Sequence, residues 1–196
     1  ITARDLNPEG DWGLKPGEVW LVQQLLAYGL VSSSNDAMAA VAGAVGPTFI
    51  DDMNHTAQEL GLSQTYFLNP TGLDLDPETA GAYGSARDVA LLAAIFLKKN
   101  PVLFEKTTRP SISIHSDNTT LVASSTDIPL FDIPGLVAAK TGYTDLAGGN
   151  LVAVFDLEIG HPIVVAVLGS TRDGRFIDVR TLIEAVRKNA ATLSTL

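Results

Sequence analysis

Leu136-Val-Ala-Ala-Lys-Thr141, Leu151-Val-Ala-Val-Phe-Asp-Leu157 and Ile163-Val-Val-Ala-Val-Leu168 are the runs on which the architecture turns. They are short, apolar and rich in β-branched residues, a pattern that predicts strands lying side by side and joined by short turns. Upstream, Ile112 with Ile114 and Leu121-Val-Ala123 carry the same period of two, so strands are expected from Pro110 onward. Downstream, Phe176, Val179, Leu182, Ile183 and Val186 form the apolar stripe of a closing helix over 173–191.

Before residue 100 the period changes. An irregular opening, Asn7-Pro-Glu-Gly10 and Lys15-Pro-Gly17, precedes Val19, Val22, Leu25 and Leu26, whose spacing predicts a helix over 17–30. The polar cluster Ser32-Ser-Ser-Asn-Asp36 then feeds the small-residue run Ala37-Met-Ala-Ala-Val-Ala42, and Gly46-Pro47 breaks that helix from the next. Ile50, Met53, Ala57 and Leu60 keep one helical face, with Gly61 as the stop signal. Residues 62–84 are read as a long ordered surface loop, and Ser85 with Asp88 as a capping box for the helix Val89 to Leu97. Helices followed by antiparallel strands and a last helix predict an α+β class. One domain over 1–196 is expected, with a helical lobe at 17–100 beside a sheet and C-terminal helix at 110–196.

The chain of 196 residues is 46% hydrophobic and 18% charged, ample material for a core and unlike a disordered segment. Its net charge of −9 repels polyanions and argues against nucleic acid as a partner. No run approaches the ~18 apolar residues that cross a bilayer. The absence of cysteine removes disulfides, thiolate catalysis and Cys-based zinc sites together.

The three histidines, His55, His115 and His161, are too dispersed for a local metal motif, and no metal is expected. Asp74, Asp76 and Glu78 alternate like a calcium loop, yet Thr79 and Ser85 stand where Gly and Glu are needed, so solvated loop acids are the reading. Nucleotide-binding and α/β-hydrolase fingerprints are missing. Two patches remain. Ser33-Ser34-Asn35 offers a hydroxyl and a carboxamide two residues apart that, in an extended loop, project to one side; they could equally be ordinary helix caps. Lys140-Thr141-Gly142 offers a cationic clamp for a carboxylate with a glycine that lets a substrate strand approach; it could equally be a solvated strand end.

Taken together and in this order, S-x-N on a helical lobe and K-T-G on a strand resemble the motif set of penicillin-recognising serine enzymes. Leu30-Val-Ser-Ser-Ser-Asn-Asp-Ala37, Glu59-Leu-Gly-Leu62, Asn69-Pro-Thr-Gly-Leu-Asp74, Ser85-Ala-Arg-Asp-Val-Ala90 and Lys140-Thr-Gly-Tyr-Thr144 look like the D-alanyl-D-alanine carboxypeptidases, the low-molecular-mass penicillin-binding proteins of serine peptidase family S11. The resemblance runs from about residue 17 to residue 185. It implies a β-lactamase/transpeptidase-like fold, with an antiparallel sheet flanked by helices.

The resemblance also implies a serine-type D-Ala-D-Ala carboxypeptidase that trims peptidoglycan stem peptides through an acyl-enzyme, with β-lactams as suicide substrates and no cofactor. By it, Ser33 relays a proton to the leaving amine and Asn35 hydrogen-bonds the substrate amide. Lys140 and Thr141 grip the terminal carboxylate, Gly142 admits the peptide, and the Tyr143 N–H supplies half of an oxyanion hole. Simple strand alternation puts Lys140 and Thr141 on opposite faces, so their joint action is implied by the family alone. Val137-Ala138-Ala139 before Lys140, and Ser34 at the middle of the first motif, depart from the common pattern.

The family's S-x-x-K, which carries the nucleophile, is absent, since no lysine follows a serine by three. The expectation is an N-terminally incomplete domain, inactive by itself, whose membrane association would come only through segments absent here. The location implied is the periplasmic or outer face of the cytoplasmic membrane. Rival functions are a DD-endopeptidase, a β-lactamase, disfavoured because Glu78 is followed by Ala82 instead of Asn, and a non-catalytic wall-peptide binding module. If the two patches form one site, Ser33 Oγ and Lys140 Nζ should meet at roughly 2.7–3.5 Å. Because the S-x-x-K helix is absent, the groove floor should be open, with unusual apolar exposure on the helices it would have covered.

Overall fold

The computed structural model describes residues 1–6 and 13–193. The predicted turn at Asn7 to Gly10 lies outside the described residues. Helices α1 (Val22–Ser32), α2 (Asn35–Val45) and α3 (Phe49–Glu59) come first. A two-residue ladder follows, β1 (Tyr66–Phe67) with β2 (Ala82–Tyr83), then α4 (Ala86–Lys99) and the single turn α5 (Pro101–Phe104). The second half holds β3 (Ser111–His115), β4 (Thr120–Ser124), β5 (Leu136–Thr144), β6 (Gly148–Asp156), β7 (Pro162–Ser170) and α6 (Gly174–Leu193).

The three runs quoted first form one antiparallel sheet in the order β5-β6-β7, with Lys140 opposite Val152 and Thr141 opposite Leu151. Each strand alternates between two cores because both faces are covered. Leu151, Ala153 and Phe155 pack with Val179 and Ile183 of α6. Val152 and Val154 pack with Ala93 of α4 and with Phe104. Leu182, assigned to the apolar stripe of the last helix, is instead 40% exposed, because the buried seam of α6 is carried by Val179 and Ile183.

The packing does not follow the expected division at 100/110. Strands β3 and β4 form a hairpin of their own, and Ile112, Ile114 and Ala123 join Leu25, Tyr28 and Val31 of α1 in a separate core. Helix α4, expected in the helical lobe, packs on the sheet. Hydrophobic pattern fixes which face of an element is buried, not which partner buries it.

Three local expectations shift with identifiable causes. The first helix begins at Val22, not near 17, because the backbone is left-handed at Gly17 (φ 88°) and extended at Leu21 (φ −68°, ψ 138°) just before it. The loop 62–84 contains the β1–β2 ladder, and Asn69 Oδ1 organises it by accepting from the Thr71 and Gly72 amides. Gly81 is required there, since a Cβ would stand 2.2 Å from Leu73 O. Ser85 Oγ caps α4 by accepting from Asp88 N, but the Asp88 carboxylate does not reciprocate. It is buried and accepts from Gln64 N (2.7 Å) and Thr65 Oγ1 (3.1 Å), tying α4 to the loop.

Candidate active site

The junction of α1 and α2 is where Ser33-Ser34-Asn35 falls, and its backbone is not the extended loop expected. Ser33 closes α1 with φ 59°, the one positive φ outside glycine among the described residues. A left-handed conformation costs a β-carbon residue roughly 1–2 kcal/mol, and such positions gather at functional sites. Ser34 takes the capping role, its Oγ accepting from Ala37 N at 3.1 Å. The alternative of ordinary caps is therefore satisfied by Ser34 alone, which leaves the hydroxyl of Ser33 and the carboxamide of Asn35 free of the helix. Both line one cavity of about 1340 Å³.

Lys140, Thr141, Gly142 and Tyr143 line the same cavity from the sheet side. The Lys140 ammonium donates to Ser33 Oγ at 2.8 Å and to Thr141 O at 2.8 Å, joining two patches 107 residues apart. Strand β5 is an edge of its sheet. The Ala139 amide points outward, donating to Thr107 Oγ1 at 3.0 Å. In an unbroken antiparallel register the amides of Thr141 and Tyr143 face the same way, so the Tyr143 N–H is presented at the free edge. A Cβ on Gly142 would meet only Asn150 Cβ, at 3.7 Å. Nothing in the chain crowds that position, and the open space beside it belongs to the cavity.

Burial pushes the Lys140 ammonium below its ordinary pKa, an effect opposed by Asp127 and reinforced by Arg175. Asp127, fully buried, is pushed up from 3.8 to about 6, chiefly by burial, against the pull of Lys140, Thr141 and Arg175. Arg175 at the start of α6 donates to Gly142 O at 2.5 Å, and Arg172 stacks 5.2 Å over the Tyr143 ring. Three cations thus surround a cavity in a chain of net charge −9, an arrangement that favours a bound carboxylate. Thr126 completes the wall, its Oγ1 2.6 Å from Thr141 Oγ1.

Sequence reading missed Thr126, Asp127, Arg172 and Arg175. The only local signal was Thr171-Arg-Asp-Gly-Arg175, a turn in which a Cβ on Gly174 would stand 2.4 Å from Thr171 Oγ1. Asp74 was read as a solvated acid, but it is half-buried and its Oδ2 accepts from Leu146 N at 3.1 Å, bringing the 69–74 loop against the β5–β6 turn at the cavity rim. Exposed apolar side chains do border the cavity, yet Val122, Leu168, Tyr83 and Leu146 sit on strands and a turn, not on helices as expected. No group of three metal-binding side chains occurs among the described residues.

The family model for D-alanyl-D-alanine carboxypeptidase matches residues 10–171. The chain is 33% identical over 165 residues to a D-alanyl-D-alanine carboxypeptidase of Mycobacterium tuberculosis, DacB2, covering 83% of this chain and 55% of that protein. It is 35% identical over 144 residues to DacF of Bacillus subtilis, covering 71% and 36%. Among solved structures, a D-alanyl-D-alanine carboxypeptidase from M. tuberculosis superposes with TM-score 0.82 at 29% identity, over 94% of this chain and 71% of that one. Penicillin-binding protein D2 from Listeria monocytogenes in its ampicillin-bound form superposes with TM-score 0.74 at 32% identity, over 84% and 66%. The chain spans about half the length of the curated relatives it matches or less. By matched family model, by motif and by fold, it belongs to the D-alanyl-D-alanine carboxypeptidases, serine peptidase family S11.

Proposed function

We propose that this chain forms the substrate-gripping wall of a serine-type D-Ala-D-Ala carboxypeptidase acting on peptidoglycan stem peptides outside the cytoplasmic membrane. The observation that carries the reading is the 2.8 Å contact of Lys140 Nζ with Ser33 Oγ, since isolated caps and strand ends have no reason to meet. Lys140 and Thr141, with Arg175 beside them, hold the terminal carboxylate of the peptide. The peptide backbone adds along the free edge of β5, where Gly142 leaves room. Asn35 hydrogen-bonds the substrate amide through a side chain that no described residue engages.

As the scissile carbonyl becomes tetrahedral, the Tyr143 N–H donates to the developing oxyanion. Ser33 relays to the nitrogen of the departing D-alanine the proton that the lysine base took from the nucleophile, regaining its own proton from that lysine, and its contact with Lys140 favours the exchange because the neighbouring ammonium makes the hydroxyl a better donor. The nucleophilic serine and its lysine base come, in the whole protein, from an S-x-x-K segment, which residues 1–196 do not contain. β-Lactams enter as mimics of the acyl donor, as the ampicillin held by the Listeria relative suggests.

The test is release of D-alanine from a peptide ending in D-Ala-D-Ala by the whole protein. Lys140→Ala is expected to lower kcat/KM by about 10²-fold or more, the scale for losing a preorganised charge partner. Wild-type turnover by that variant would reject the reading, and tight peptide binding without release would favour the wall-peptide binding module.

A further inference from the structure

The hydroxyl of Thr126 has one hydrogen-bond partner among the described residues, the hydroxyl of Thr141, 2.6 Å away. That distance is at the short end of the range for two hydroxyls. Both residues line the cavity, Thr141 buried and Thr126 half-buried. The Asp127 carboxylate is near enough for Thr141 to lower its pKa, yet neither of its oxygens takes a hydrogen bond, so it does not hold the Thr141 proton.

The backbone that presents this hydroxyl is braced from both motifs. Thr126 N donates to Val31 O at 3.2 Å, near the end of α1 that leads into Ser33. On one side Ser125 N donates to Pro110 O at 3.0 Å and Ser125 Oγ to Thr107 O at 3.1 Å, while on the other Asp127 N donates to Ser125 Oγ at 3.0 Å. Thr107 is itself tied to β5, its Oγ1 accepting from Ala139 N at 3.0 Å. Thr126 is thus held between the helix of Ser33 and the strand of Lys140, and the place of its side chain against Thr141 is set by the fold. A hydroxyl carries a single proton, which Thr141 can give to Thr126 or to a ligand but not to both. A bond to an anion is roughly twice as strong as one between neutral groups, so an arriving carboxylate takes the Thr141 proton and leaves Thr126 as the donor to Thr141. Two hydroxyls aligned in this sense polarise one another toward the anion.

We propose that Thr126 is a positioning residue whose hydroxyl donates to Thr141 Oγ1 and so aims the Thr141 proton at the terminal carboxylate of the substrate, a role that rests on the reading of this cavity as the carboxylate grip. Thr126 acts through Thr141 and does not itself touch the ligand. Without its hydroxyl, the Thr141 O–H loses the partner that orients it and meets the carboxylate as an unaligned, weaker donor.

The test offers the whole protein two reactive acyl donors that differ only at the end of the leaving group: a D-alanyl thioester of mercaptoacetate, with a free carboxylate, and the corresponding thioester of mercaptoacetamide. The readout is the preference for the first, the ratio of the two kcat/KM values, with kcat and KM resolved for each donor. Thr126→Val is expected to lower this preference by about tenfold, the scale for a hydrogen bond to a charged group, mainly through a higher KM for the carboxylate donor. Thr126→Ser, which keeps the hydroxyl, should restore it to within about twofold of the wild type. Thr141→Val should lower the preference by itself, and adding Thr126→Val should lower it no further, because the two act as one unit. A merely structural Thr126 would slow both donors alike and leave the ratio where it was. An unchanged ratio in Thr126→Val, no recovery in Thr126→Ser, or a further loss in the double variant overturns the proposal. If Thr126→Val does not fold, Thr126→Ala carries the same expectation. A wild type that turns over neither donor, or does not favour the free carboxylate, rejects the carboxylate grip and this role with it. A wild-type preference that Thr126→Val retains rejects only the role of Thr126.

Discussion

Ser33 holds two properties in tension. Its φ of 59° is a conformation in which glycine is comfortable and serine is not, while its hydroxyl is the group that Lys140 meets. Ser33→Gly separates the two. The variant is expected to match or exceed the wild type in stability, by up to about 1 kcal/mol, because the left-handed strain is relieved. D-alanine release by the whole protein should nevertheless fall by about 10²-fold with the relay gone. Melting curves and turnover measured on the same preparation check both halves, and a less stable, fully active variant would contradict the assignment. Ser33 and Ser34 are identical in residue type, although the S-x-N spacing singled out Ser33 and Asn35. Only the backbone turn shows that Ser34 is spent on the cap of α2.

Among elements, the turn between β7 and α6 matters most, because it delivers Arg172 and Arg175 to the site. Gly149 of β6 makes its close packing possible: a Cβ there would stand 2.1 Å from Thr171 O and 2.6 Å from Thr171 C. Both are backbone atoms and cannot swing away. Gly149→Ala is therefore expected to destabilise by about 2 kcal/mol or more, as overpacking does in a closed interior, which urea denaturation would read out. The strands and the last helix were legible because their periodicity states which face is apolar. The β1–β2 ladder was not, being two residues long and carrying no period. The late start of α1 was hidden for a different reason. Val19 continues the helical spacing, and only the backbone, left-handed at Gly17 and extended at Leu21, removes it.

Across the whole molecule, Asp127 links stability to pH in a direction opposite to the usual carboxylate. Its pKa is raised in the fold from 3.8 to about 6, so the folded state binds the extra proton. A carboxyl of this kind imposes no penalty below pH ~4, and the penalty grows through pH 4–6 and is complete above about 6. A shift of this size corresponds to on the order of 3 kcal/mol. Asp127→Asn should accordingly be more stable than the wild type at pH 7.5, with the difference closing near pH 4. Thermal unfolding at the two pH values measures it. A variant that is less stable at pH 7.5 would mean the carboxylate is held more favourably than its burial indicates.

By itself the sequence determined the α+β class, the three strands of the sheet and the last helix, and it pointed to Ser33, Asn35, Lys140, Thr141, Gly142 and Tyr143 as candidates, because periodicity and motif are local properties of a chain. Only the tertiary structure decided that the two motifs share one cavity, that β3–β4 packs on α1 while α4 packs on the sheet, and that Thr126, Arg172 and Arg175 complete the wall. The reason is physical. Periodicity tells each element which face to bury, whereas the charge and reach of a side chain acquire chemical meaning only from neighbours that the fold brings from far along the chain. Asp127 is an ordinary turn aspartate in sequence, and only the fold buries its carboxylate completely and so raises its pKa.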